Sequence, residues 1–217
     1  MLWKLILLLL LNSCYLRHYP LHAGIAKVAT FKIVVEDGTG TGWAVDKYHL
    51  ITAGHVCNSL SLMRAEGPRR RFYVEPVVWE YNGADYDICL LKSSVALDSW
   101  LIISDMAPKT GDNVGFVGYP GGEYGESSGT YLGDMDTDDS HENDNVFTAP
   151  CAAGASGSAV YTERGVWGVL VRKRTDGGYI HPGEEGCVAV GWDKLTKFLR
   201  DAGINYDTPP EIPDAIP

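Results

Sequence analysis

Gly40-Thr41-Gly42-Trp43-Ala44-Val45 and, just beyond it, Leu50-Ile51-Thr52-Ala53-Gly54-His55-Val56-Cys57 place a histidine at the end of two short apolar runs. Residues 42–46 and 49–51 are rich in Trp, Val, Leu and Ile and are bounded by turn formers, so both read as strands. Working outward, the same texture recurs at 29–36, 72–78, 88–91, 113–117, 130–132, 146–148, 159–161, 166–171 and 187–190. About a dozen short strands so spaced predict an all-β sandwich or barrel arrangement. One helix stands apart, with Asp193 as its cap, Leu195, Phe198, Leu199 and Ala202 at helical spacing, and Gly203 as its end. Residues 134–145 hold six acidic residues without periodicity and read as a loop. The Pro-rich end, 204–217, reads as an extended tail.

The 217 residues carry 18 Lys and Arg against 28 Asp and Glu, a net charge of −10, and are 45% apolar and 21% charged. Those values exclude a disordered, collagen-like or coiled-coil chain. A chain of this length buries roughly 70% of the surface it exposes when unfolded, so its cores need no metal or dense disulfides. An acidic balance is a poor fit to a nucleic-acid binder, and no nucleic-acid partner is expected. Arg69-Arg70-Arg71 reads as a solvated loop.

Residues 1–23 differ from the rest. Lys4 precedes an apolar run at 5–11, followed by Asn12, Ser13 and Cys14. The run is short of the about 20 residues a membrane span needs and fits an export signal. Leu11-Asn12-Ser13-Cys14 also resembles the bacterial lipobox, in which the Cys becomes a lipidated N-terminus attached to the membrane. Plain secretion, an uncleaved anchor and a cytoplasmic chain with an apolar leader are the alternatives. Cys57, Cys89, Cys151 and Cys187 remain. In an exported chain they allow two disulfides in any of three pairings; four buried thiols are the other reading. No C-x-x-C pair exists, so no structural zinc is expected.

Three blocks carry chemistry, in the order His, Asp, Ser: the His55 run above, Asp85-Tyr86-Asp87-Ile88-Cys89-Leu90-Leu91-Lys92, and Gly154-Ala155-Ser156-Gly157-Ser158-Ala159. A serine hydroxyl is a weak nucleophile until a neighbouring imidazole takes its proton. The imidazole must be held in one tautomer by a carboxylate. An Asp opening an apolar strand, as Asp87 does, is suited to that task. Small residues around Ser156 let the chain turn so that backbone N–H groups converge on a developing oxyanion.

Together the blocks resemble the chymotrypsin-like serine proteases, in motif style the HtrA-type bacterial and viral members and the glutamyl endopeptidases. Phe116-Val117-Gly118-Tyr119-Pro120-Gly121 adds a Gly-Tyr-Pro turn often seen in that subgroup. The resemblance covers roughly residues 29–202. It implies two six-stranded antiparallel β-barrels, about 27–105 and 106–191, with a C-terminal helix at 193–202, the whole peptidase domain spanning 24–203. It also implies a serine endopeptidase with His55 as general base, Asp87 orienting it, Ser156 as nucleophile, and the Gly154 and Ser156 amides as oxyanion hole. Asp85 is the competing carboxylate. Thr148, Ala153, Val169, Leu170 and Val171 would wall the substrate pocket. With no carboxylate there, a small or aliphatic residue is expected before the cut bond; Arg172, Lys173 or Arg174 could instead select an acidic one. No metal or organic cofactor is implied. A peptide or protein is the implied partner, and a monomer is expected, with no appended domain after residue 203. By the same resemblance Cys151 is expected to pair with Cys187, and Cys57 and Cys89, each two residues after a triad member, with each other.

The chain departs from the family at two positions. Residue 155 is Ala where the digestive proteases have an Asp that pairs with a new N-terminal amine, so that activation switch is closed to it. Residue 158 is Ser where a second Gly is usual. Competing readings fall away: Gly38-Thr39-Gly40-Thr41-Gly42 is not followed by the helix a dinucleotide loop requires. The G-x-S-x-G elbow fails at Ser158, and His181, the one histidine after Ser156, follows it too closely for the triad of that fold. Asp134, Asp136 and Asp138 lack the Gly and Glu of an EF-hand. His18, His22, His49 and His141 read as solvated, and His181 as a loop residue that could line the pocket. A catalytically inactive protease-fold binding module at the cell surface is the alternative function.

Overall fold

A computed structural model describes residues 23–57, 63–81, 86–135, 144–174 and 186–206. The leader with Cys14, His18 and His22, the alternative carboxylate Asp85, Asp136, Asp138, His141, His181 and the Pro-rich tail lie outside these residues.

A short helix, α1 (Ala23–Ala29), leads into twelve strands. The first six are β1 (Thr30–Val35), β2 (Gly38–Ala44), β3 (His49–Thr52), β4 (Met63–Glu66), β5 (Arg71–Tyr81) and β6 (Asp87–Ser93). They close into one antiparallel barrel in the order 1-2-3-6-5-4. The next six are β7 (Asn113–Gly118), β8 (Gly125–Met135), β9 (Asp144–Thr148), β10 (Ala159–Thr162), β11 (Gly165–Arg174) and β12 (Gly186–Val190). They close in the equivalent order, 7-8-9-12-11-10, so the two barrels share one topology. The chain therefore has the chymotrypsin-like double barrel, and closure leaves neither sheet an edge to protect.

The sequence explains most of the strands. In β6 an unbroken Ile88-Cys89-Leu90-Leu91 run is buried, because one face fills the barrel and the other is covered by neighbouring structure. The first core gathers Phe31, Ile33, Trp43, Leu50, Ile51, Met63, Ile88 and Leu90. The second gathers Phe116, Tyr131, Phe147, Trp167 and Leu170, with Trp167 edge-on to Tyr131 at 5.2 Å and to Phe147 at 6.3 Å. Val117, Val146, Ala159, Val166 and Val169 of the second barrel join the apolar cluster of the first, so the seam between the barrels is itself core.

Several expectations change. β4 has no counterpart in the sequence reading: only Met63 and Ala65 face inward, while Arg64 and Glu66 face out among Lys32 and Arg71. β8 is far longer than the 130–132 expected, because pairing with both β7 and β9 carries its Gly- and Ser-rich half. It includes Asp134, and β9 starts at Asp144, so the acidic loop is shorter than expected. The C-terminal helix, α2 (Trp192–Asp201), is capped by Gly191, and Asp193 sits inside its first turn. There a negative charge still favours the positive end of the helix. His49 opens β3 with its ring against Asp46, 2.9 Å from Oδ2, rather than lying free. Arg70 donates to Ala96 O at 2.8 Å and Asp98 at 2.6 Å, and Arg71 begins β5.

Candidate active site

The first barrel supplies a histidine and a carboxylate. β3 ends at Thr52 and a single 3₁₀ turn, Gly54–Cys57, carries His55 against the start of β6. Asp87 grips it twice: Oδ1 accepts the His55 backbone N–H at 2.7 Å, and Oδ2 accepts Nδ1–H at 2.7 Å. A proton on Nδ1 leaves Nε2 as an acceptor on the outer edge of the ring. The His55 side chain is 37% exposed and Asp87 only 13%, so the carboxylate is shielded while the imidazole faces the cleft. Cys57 and Cys89 each follow one of these residues by two positions, and the Cys57–Cys89 disulfide, Cα–Cα 6.5 Å, staples the turn to the strand.

Gly54 makes the approach possible. A Cβ there would stand 2.8 Å from Glu80 O and 3.0 Å from Asp87 Oδ1. Gly54→Ala must therefore displace the carboxylate or the turn, and if the His55–Asp87 pair serves a reaction, its kcat is expected to fall by up to about 100-fold, since a misplacement near 1 Å costs that much. Steady-state kinetics checks this against KM, which should barely move.

The second barrel supplies the serine. Between β9 and β10 the chain turns through residues 151–158, tied to β12 by the Cys151–Cys187 disulfide, Cα–Cα 6.1 Å. Ala155 and Gly157 are fully buried or nearly so, and Ser156 stands half-buried at the crest. Its hydroxyl makes a long hydrogen bond, 3.4 Å, to Val171 O. Gly154 and Gly157 both have φ of +88°, a conformation that L side chains avoid. A Cβ on Gly157 would land on the Thr41 carbonyl oxygen. Among the described residues, no hydrogen bond occupies the N–H of Gly154 or of Ser156.

The two halves meet at β2. Thr41 N–H donates to Ser156 O at 2.7 Å. A Cβ on Gly40 would touch both Val56, the neighbour of His55, and Ser156 O, at 2.7 and 3.2 Å. His55, Asp87, Ser156 and Gly154 thus come to one seam. Among the expected pocket residues, Ala153 is exposed, Thr148 is half-buried with Oγ1 accepting Thr130 N–H at 2.8 Å, and Val171 offers its carbonyl to Ser156. Leu170 differs from expectation. Its side chain lies in the second core, and its backbone pairs with Gly157 at 2.6 Å and Ser158 at 2.9 Å, so it supports the serine loop from behind. The Val169 side chain is likewise spent on the seam.

Sequence reasoning passed over Thr41, whose hydroxyl joins the second barrel at Gly154 O and Tyr119 N, 2.8 and 2.9 Å away. Tyr119 leads a turn, Pro120–Gly122, packed on the serine loop. Burial, then the Glu66 carboxylate, raises the Tyr119 phenol above its ordinary value, keeping it a neutral donor.

The family model of the trypsin-like peptidase domain matches residues 40–168, a span that holds His55, Asp87 and Ser156. No curated protein matches the chain. Among solved structures it is similar to the Rv3671c protease in an inactive form, at 21% identity over 87% of this chain and 95% of that one, with a TM-score of 0.67. It is also similar to the active form of that M. tuberculosis protease, at 20% identity over 89% and 88%, TM-score 0.63. A Ser-to-Ala mutant of Rv3671c from M. tuberculosis H37Rv, in an inactive form, gives 19% over 87% and 92%, TM-score 0.64. At such identities the structural likeness is one of fold, and it agrees with the family match, which spans more than half of the chain: the protein belongs to the trypsin-like peptidase family.

Proposed function

We propose that the chain is a serine endopeptidase that hydrolyses peptide bonds through an acyl-enzyme. The observation that carries this reading is the double grip of Asp87 on His55, 2.7 Å at both the backbone N–H and Nδ1, beside a serine loop whose Gly154 and Ser156 amides have no partner among the described residues. Nε2 of His55 takes the Ser156 proton as Oγ bonds to the substrate carbonyl carbon. The carbonyl oxygen becomes an oxyanion held by the Gly154 and Ser156 N–H groups. His55 then passes its proton to the leaving amine, and the C–N bond breaks. Water, deprotonated by the same imidazole, attacks the ester and frees the acid and Ser156.

Thr148, Ala153 and Val171 are the surroundings such a substrate would meet, and none brings a carboxylate. Peptide profiling is expected to give kcat/KM for Ala or Val before the cut bond at least about tenfold above Lys or Arg. A preference for Asp or Glu would move specificity to the basic run Arg172-Lys173-Arg174.

The test of the activity is intact mass after fluorophosphonate treatment, beside His55→Ala. One stoichiometric adduct on Ser156, lost in that variant, establishes an activated serine. No adduct on folded protein would leave the inactive binding module as the better account. Two disulfides support folding in an oxidising compartment, in line with export through residues 1–23, by secretion or with lipidation of Cys14. Residues 24–203 would then be the exported peptidase domain, acting on a peptide or protein as a monomer. Among the described residues no helix is long and apolar enough to cross a membrane.

A further inference from the structure

The oxyanion hole rests on two peptide planes, and something must hold them. Residue 155, the position from which an acidic side chain could be clamped, is a fully buried Ala. The group that takes over comes from the other barrel. We propose, on the reading of Ser156 as nucleophile, that Thr41 is the positioning residue that sets the oxyanion hole.

Thr41 lies in the middle of β2 and is fully buried. All of its polar groups are used, and two of the four bonds they govern end on the serine loop. Its N–H donates to Ser156 O at 2.7 Å, and its hydroxyl donates to Gly154 O at 2.8 Å. The same hydroxyl accepts the Tyr119 N–H at 2.9 Å, and Thr41 O accepts Thr52 Oγ1–H at 2.6 Å. A hydroxyl has a single proton and Tyr119 N can only donate, so the proton on Thr41 Oγ1 is directed to Gly154.

A second path leads from the same side chain to the plane before Gly154. Tyr119 begins the turn that contains Gly121, and Gly121 N–H donates to Ala153 O at 2.7 Å. In a trans peptide the carbonyl and the following N–H point opposite ways. Holding Ala153 O against Gly121 therefore turns the Gly154 N–H away from the turn. Thr41 thus fixes Gly154 from both sides: through its carbonyl directly, and through the Tyr119–Gly122 turn on the preceding plane. Gly154, with no Cβ and φ of +88°, has wide freedom to swing once either hold is lost. Barrel closure itself forms the hole, without a new N-terminal amine.

The test uses the full chain with its disulfides oxidised and the rate of Ser156 labelling by a fluorophosphonate, whose phosphoryl oxygen needs the same hole. Thr41→Val keeps the shape and removes the hydroxyl; its labelling rate is expected to fall about 100-fold, near the loss of one oxyanion donor. Thr41→Ser, which keeps the hydroxyl, should label within about fivefold of wild type, well short of the loss of one oxyanion donor. The pH midpoint of labelling should stay in place in both, because the His55–Asp87 pair is untouched. Labelling of Thr41→Val within about threefold of wild type, below the effect of any lost oxyanion donor, overturns the inference. Thr41→Ser as slow as Thr41→Val overturns it too, since packing and not the hydroxyl would then matter. If near-ultraviolet circular dichroism shows Thr41→Val unfolded, Thr41→Ala decides by the same threshold. Wild type that folds but takes no label sinks the hydrolase reading and this inference with it, whereas wild type and Thr41→Val labelling alike sinks this inference alone.

Discussion

Ser156→Ala and His55→Ala are each expected to lower kcat by about 10⁴–10⁶ on the proposed mechanism, and the double variant to lower it hardly further. In the proposed mechanism the two side chains act as one unit: without the imidazole the hydroxyl would keep its proton, and without the hydroxyl the imidazole would have nothing to deprotonate. What should survive is the rate that the proposed Gly154 and Ser156 oxyanion hole and substrate binding give alone. Asp87→Asn should cost about 10⁴ by another route. An amide nitrogen facing Nδ1, 2.7 Å away in the parent, turns that ring atom into an acceptor and puts the proton on Nε2, where it blocks base catalysis. Hydrolysis rates on protein shown to be folded separate these outcomes. Losses that multiply in the double variant would mean that the two residues do not share a step.

Replacing Cys57 and Cys89 together by Ala costs about 4 kcal/mol of stability. The bond closes a loop across 32 positions, and opening it returns that chain entropy to the unfolded state. Both residues are fully buried in the first core, so the small cavities left by the sulfurs add to the loss. For a domain of this size the midpoint of thermal unfolding should fall by about 8–16 °C. The disulfide also holds the His55 turn to the strand that carries Asp87, so kcat should fall in the folded variant as well. A midpoint within about 2 °C of the parent would show that the unfolded chain gains little from the bond. Thiol titration of the unreduced parent should find none of Cys57, Cys89, Cys151 and Cys187 free, in keeping with the two bonds.

Much of the double barrel was legible because its strands are written in β-branched and aromatic runs bounded by Gly, Asn, Asp and Pro. β6 and β11 could be read from composition alone. β4 could not: Met63-Arg64-Ala65-Glu66 is four residues long, contains no β-branched side chain, and becomes a strand because β1 and β5 pair with its two edges. The Gly125–Gly129 half of β8 is the same case, a Gly- and Ser-rich segment held by its pairing with β7. The helix cap went astray by two positions because Asp193 is a good capping residue on its own, while the packing of Trp192, whose Nε1–H donates to Ser104 O at 2.7 Å, starts the helix earlier.

By itself the sequence determined the strand-rich class, the order of the His, Asp and Ser blocks and the small residues that let the serine loop turn. These are local properties, set by side chains acting within a few residues of themselves. Only the tertiary structure decided how the site is supported. Thr41 meets Gly154 across 113 positions and Tyr119 across 78, and nothing in a Gly-Thr-Gly run announces a hydroxyl shared between two barrels. The same holds for Leu170, which by sequence belonged to a pocket wall and in the fold braces Gly157 and Ser158 from the core. Such contacts exist only once closure brings distant backbone groups within hydrogen-bonding distance, and there a buried polar group must find a partner or destabilise the fold.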